Sequence, residues 1–154
     1  MPNPPQRVFL DTNVYLIGMA YLESPEAAIL RWIGFGQDEP GLAEVVVSEE
    51  VFEQIRRVAR RLRSKDWAGE ILGHIWQEVQ LHYVLLDPQE ISALERLEAI
   101  PREDVGVYLT AREGRAQCFV SSNHELITIL VQKTGEFECL TPGQFVKKYL
   151  LPSG

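Results

Sequence analysis

The sequence predicts an α/β protein, a three-layer α/β/α sandwich around a central, mostly parallel five-stranded sheet. Three observations carry that prediction. Short apolar runs alternate with longer stretches of helical periodicity, and the helical stretches open on capping residues. The apolar runs are also continuous rather than alternating, as strands covered on both faces require. Strands separated by helical crossovers form parallel βαβ units, which put helices on both sides of one sheet.

Val8-Phe9-Leu10 is the first predicted strand, and Ser24-Pro25-Glu26 then offers an N-cap with proline at the first helical position. Val45-Val46-Val47 is the second strand, and Ser48 caps a helix expected to run to about Ser64. Val51, Ile55, Val58 and Leu62 form one apolar stripe on this helical arm. Ile71, Ile75 and Val79 form another, joined by Leu72 and Trp76. The whole arm, Glu49 to Gln80, is expected to break into two helices at Asp66-Trp67. Tyr83 to Leu86 is the third strand. Asp87-Pro88-Gln89-Glu90 and Thr141-Pro142-Gly143-Gln144 both read as capping boxes with proline at N1, and Ser122-Asn123-His124-Glu125 as the same box without proline. Ile91, Leu94 and Leu97 give a third core-facing stripe. Cys118-Phe119-Val120 and Phe137 to Leu140 complete the five strands.

A chain of 154 residues, 45% of them hydrophobic, fits a single domain spanning 1–154 with one core. No apolar run approaches the length of a membrane span, and Met1 to Arg7 lacks the apolar segment of a secretory signal, so a cytoplasmic location is expected. Two cysteines, Cys118 and Cys139, are too few for a disulfide framework and read as small buried hydrophobes. The three histidines are scattered, without zinc-ligand spacing. Trp32, Trp67 and Trp76 read as core or dimer-contact residues. A net charge of −7 argues against indiscriminate adhesion to nucleic acid. Yet six of the fifteen Lys and Arg residues fall between Arg56 and Lys65.

Open parallel sheets bind ligands beyond the carboxyl ends of their strands. That rule selects Asp11, after the first strand, and Ser121-Ser122-Asn123, after the fourth. No Gly-rich phosphate loop follows the first strand, against a dinucleotide-binding domain.

Phe9-Leu10-Asp11-Thr12-Asn13-Val14-Tyr15-Leu16 resembles the opening motif of PIN domains, and the resemblance continues in order along the chain. Val45-Val46-Val47-Ser48, Val84-Leu85-Leu86-Asp87-Pro88 and Arg102-Glu103-Asp104 are similar to the family's second strand, third strand and acidic helix start. Phe119 to Ile127 and Cys139 to Phe145 are similar to its last two strand-to-helix turns. The resemblance implies a metal-dependent endoribonuclease, with Asp11 and Asp104 holding Mg²⁺ or Mn²⁺ near a scissile RNA phosphate.

This chain departs from the family's acidic set. The second acidic position aligns with Gln54, flanked by Glu53 and with Glu50 one turn back; the fourth is Asn123. The rim implied is therefore Asp11, Asp104, Glu53 and Asn123, with Asn13, Gln54 and Glu125 as substitutes or neighbours. Glu125 also fits as the N3 partner of Ser122. Gln and Asn keep oxygen donors but no charge, so weakened cation affinity is expected. Arg56, Arg57, Arg60 and Arg61 admit two readings: a landing strip for RNA phosphates, or a solvated helix face with Glu53 pairing Arg57. Small single-domain relatives are often toxins of toxin–antitoxin pairs, which implies RNA, an antitoxin protein and a second copy as partners. The alternative is a degenerate PIN domain that binds nucleic acid or protein without efficient catalysis.

Overall fold

The computed structural model describes residues 2–151; the remaining positions of the expected 1–154 domain lie outside the described residues. The chain runs β1 (Arg7–Leu10), α1 (Thr12–Ala20), α2 (Pro25–Ile33), β2 (Glu44–Ser48), α3 (Glu49–Leu62), α4 (Lys65–Glu78), β3 (Gln80–Val84) and α5 (Pro88–Leu97). A 3₁₀ turn (Arg102–Asp104) leads into α6 (Val105–Glu113), followed by β4 (Cys118–Val120), α7 (His124–Lys133), β5 (Glu138–Leu140) and α8 (Pro142–Phe145). The five strands pair in the order β3-β2-β1-β4-β5, and every pairing is parallel. All carboxyl ends therefore open on one rim.

The central strands β1, β2 and β4 are buried almost throughout, which explains their continuous apolar runs. Phe9 and Phe119 are register partners whose rings stack at 4.9 Å, and Phe137 stacks on Phe119 at 5.5 Å. Each fully buried side chain of this size stabilises the fold by about 1.5–3 kcal/mol. Cys118 is buried and Cys139 half-buried, both as free thiols.

Several local expectations are corrected. The third strand is Gln80–Val84, not Tyr83–Leu86, because pairing with β2 sets its register; Leu85 is 86% exposed. The arm breaks at Arg63-Ser64, where the Ser64 side chain accepts from Trp67 N and caps α4. Helix α3 buries Val51, Phe52, Ile55 and Ala59, so its core face is rotated from the expected stripe and Leu62 is exposed. Leu97 is exposed too, and α5 contributes no fully buried residue. Thr141 forms its capping box with Gln144, but Asp87 does not: it accepts from Gln89 N, and Glu90 pairs with Arg112 instead. Trp67 is buried and Trp32 packs on Phe145, whereas Trp76 is exposed beside Phe52 and Tyr83. Among the described residues no helix is long and apolar enough to cross a membrane.

Candidate active site

Asp11 ends β1 and caps α1. Its backbone N–H donates to Val120 O at 2.9 Å, which fastens it to β4. One carboxylate oxygen, Oδ1, accepts from Thr12 N at 2.8 Å, and Oδ2 accepts from Ser121 Oγ at 2.7 Å. The residue is only 6% exposed. Burial raises the carboxyl's pKa, and the Ser121 and Thr12 bonds pull the other way. Each oxygen keeps a further lone pair for a ligand.

Asp104 closes the 3₁₀ turn at the start of α6, yet its side chain makes no capping bond. Its carboxylate is therefore not engaged by the backbone of α6. Partial burial, then the negative charges of Asp11, Glu103 and Glu125, push its carboxyl up to about 6. The two aspartates thus feel one another across the rim.

Gln54, half-buried on α3, accepts a hydrogen bond from the hydroxyl of Thr12, the residue that follows Asp11. Glu53, next to it, is exposed and paired with Arg56 at i,i+3 rather than with Arg57. Glu50 lies against Gly106: a Cβ built there would sit 3.4 Å from Glu50 Cβ. A cleft of about 490 Å³ runs between α3 and the start of α6, lined by Glu50, Glu53, Gln54, Arg57 and Glu103 among others; Asp11 and Asp104 are not among its lining residues.

The fourth position differs from the expected box. Asn123, not Ser122, is the N-cap of α7, with Oδ1 accepting from Leu126 N at 3.1 Å. Glu125 is therefore exposed at N2, free of the cap, and its charge reaches Asp104. Ser122 Oγ instead donates to Glu26 Oε2 at 3.0 Å. Asn13 is exposed at the start of α1, and His124 is exposed at the start of α7.

Two residues of this region carried no signal in the sequence. Glu26 is a buried carboxylate whose partner lies 96 positions away. Tyr15 is fully buried; burial and then Asp11's charge raise its pKa, and its hydroxyl has no hydrogen-bond partner among the described residues. Its apolar helical setting made it look like an ordinary core aromatic.

A second cleft of about 550 Å³ adjoins the first and is lined by Glu53, Arg56, Arg57, Arg60 and Arg61. Arg56 is taken up by Glu49 and Glu53. Among the described residues, Arg57, Arg60 and Arg61 make no ion pair.

Among the described residues, no three His, Cys, Asp or Glu side chains meet at metal-holding distances. The donors that do face the rim, two carboxylates with amide and hydroxyl oxygens beside them, are all hard oxygen ligands. That set fits Mg²⁺ or Mn²⁺, whose sites commonly take one or two carboxylates plus water and substrate phosphate.

No family model matches the sequence, and no curated protein matches it. A solved structure does: a chain of the complex described as VapBC2 from Rickettsia felis bound to a DNA fragment from their promoter. The match has a TM-score of 0.58 at 10% identity and covers 88% of this chain and 98% of that one. The likeness is one of fold, and it agrees with the PIN-like α/β/α arrangement expected.

Proposed function

We propose that the chain is a PIN-type metal-dependent endoribonuclease, with Asp11 and Asp104 as the carboxylates that hold Mg²⁺ or Mn²⁺. The observation that carries this reading is the pairing of a buried, hydrogen-bonded Asp11 with an uncapped Asp104 whose pKa is raised by partial burial and then by Asp11's charge. Two like charges converging on one rim favour a cation between them. The ion, when bound, would polarise the phosphoryl oxygen and make an attacking water more acidic.

The chain's own groups supply the rest. Thr12 N and Ser121 Oγ fix the direction in which Asp11 presents its free lone pairs. Gln54, held through the Thr12 hydroxyl, adds a neutral amide where a further carboxylate would raise the charge. Arg57 lines both clefts, so phosphates held by Arg57, Arg60 and Arg61 would lead toward Gln54 and Glu103. The VapBC2 likeness in fold supports a toxin role with an antitoxin protein as partner, in the cytoplasm; a homodimer belongs to the same reading.

One observation favours a second reading, a PIN domain that binds RNA or a protein without efficient catalysis. Gln54 and Asn123 are uncharged amides, and their oxygens already accept from the Thr12 hydroxyl and from Leu126 N, so they give a cation less than carboxylates would. An RNA-cleavage assay in Mn²⁺ or Mg²⁺ separates the two. The nuclease reading expects cleavage by the wild type that falls at least about a hundredfold in Asp11→Asn. Equal cleavage by both proteins would sink the carboxylate mechanism, and RNA binding without cleavage would favour the second reading.

A further inference from the structure

One buried carboxylate on this rim has no part in the chemistry above. Glu26 lies in the first turn of α2, where Ser24 already caps the helix by accepting from Ala27 N at 3.0 Å. The helix end therefore does not need the Glu26 side chain as a cap, although its positive dipole end favours the charge. Glu26 is 8% exposed, and Ser122 Oγ at 3.0 Å is the side-chain partner it has among the described residues. A carboxylate withdrawn from water at such a place carries a desolvation cost that an ordinary surface glutamate avoids.

Ser122 sits in the middle of the β4–α7 turn. On one side of it, Ser121 Oγ donates to Asp11 Oδ2 at 2.7 Å; on the other, Asn123 N donates to the same Ser121 Oγ at 3.0 Å. Three consecutive side chains thus have three targets: Asp11, α2 and α7. The α2 target is rigid. Gly18 of α1 packs so closely that a Cβ there would meet the Glu26 carbonyl carbon at 3.1 Å, which leaves the first turn of α2 little room to slide.

We infer that Glu26 is a positioning residue for Asp11: by holding Ser122 it keeps the β4–α7 turn where Ser121 can reach the Asp11 carboxylate. Its consequence for metal binding rests on the function proposed above; its consequence for the turn does not. Without Glu26 the turn relaxes, Asn123 N loses its acceptor, and Asp11 loses the donor that orients Oδ2.

The test compares wild type, Glu26→Gln, Glu26→Ala and Ser122→Ala by amide hydrogen exchange in metal-free protein and by Mn²⁺ titration. Glutamine keeps an acceptor oxygen for Ser122, so Glu26→Gln should match wild type. Glu26→Ala and Ser122→Ala should each speed exchange at the Asn123 amide about tenfold or more, while Phe9 and Phe119 in the sheet keep their protection. Both should also weaken Mn²⁺ about tenfold, the lower end of what outer-shell partners of a metal site contribute. An unchanged Asn123 amide in both variants overturns the inference, as does exchange that rises equally at Phe9 and Phe119, the mark of plain destabilisation. A Glu26→Gln protein that behaves like Glu26→Ala overturns it too, because the charge rather than the bond would then matter. If wild type binds no Mn²⁺ the metal reading fails, and the amide exchange still decides the role of Glu26.

Discussion

Replacing Asp104 by asparagine should stabilise the metal-free protein at neutral pH, although it removes a residue placed in the site. The carboxyl's pKa is raised to about 6 by partial burial and by Asp11, Glu103 and Glu125, against 3.8 for an unperturbed aspartate. The folded state therefore binds this proton more tightly than the unfolded chain does. Well below pH 3.8 both states are protonated and the group costs nothing; between about 3.8 and 6 the unfolded chain gives up the proton that the folded state keeps, so stability falls, and above 6 the loss levels off. At about 1.4 kcal/mol per pH unit the upper bound is near 3 kcal/mol. Asp104 is partly exposed, and screening by solvent reduces the expected effect to about 1–2 kcal/mol. Urea denaturation of wild type and Asp104→Asn in EDTA, from pH 4 to pH 7.5, measures it. The two proteins should differ least near pH 4, diverge between pH 4 and pH 6 and keep a constant gap above it, with the variant ahead by about 1–2 kcal/mol at pH 7.5. A variant that is less stable than wild type at pH 7.5, or a difference that does not change with pH, would refute the electrostatic picture of the rim.

Two other outcomes follow from separate parts of the molecule. Substituting Arg57, Arg60 and Arg61 together by alanine should weaken RNA binding and lower the slope of log affinity against log salt by about 2, while circular dichroism stays unchanged because all three are exposed; an unchanged slope would make this face merely solvated. Gly34→Ala should cost about 2–4 kcal/mol in thermal or urea unfolding, because Gly34 has φ +132° and an added Cβ would overlap the Glu78 carbonyl oxygen. A cost below 0.5 kcal/mol, roughly what an unconstrained surface change gives, would contradict that packing.

The fold was legible because its central strands are covered on both faces, so Val45-Val46-Val47 and Cys118-Phe119-Val120 announce themselves. β3 was misread for the opposite reason. It is an edge strand, only partly buried, and the apolar run Tyr83 to Leu86 extends past its end into solvent at Leu85. Asp11 was legible from the strand-to-helix turn that it closes. Which face of α3 meets the rim was not, since neighbouring residues on a helix point about 100° apart and only tertiary packing brings Gln54 to Thr12 of α1 and Glu50 to Gly106 of α6. Local capping rules also allowed either Ser122 or Asn123 to open α7. In the structure Asn123 caps α7 while Ser122 bonds to Glu26, and a contact across 96 residues leaves no mark on either segment.

The central claim, that Asp11 and Asp104 form one cation site, is tested most directly by titrating the metal-free protein with Mn²⁺. Electron paramagnetic resonance counts the bound ions, and calorimetry at pH 6 counts the protons released. Wild type should bind Mn²⁺ at one site and release a measurable fraction of a proton, because Asp104, raised to about 6, is still partly protonated at that pH. Asp11→Asn and Asp104→Asn should each weaken the ion at least about tenfold, and Asp104→Asn should abolish the proton release. Mn²⁺ that binds both variants as tightly as wild type, or does not bind wild type at all, would contradict the claim.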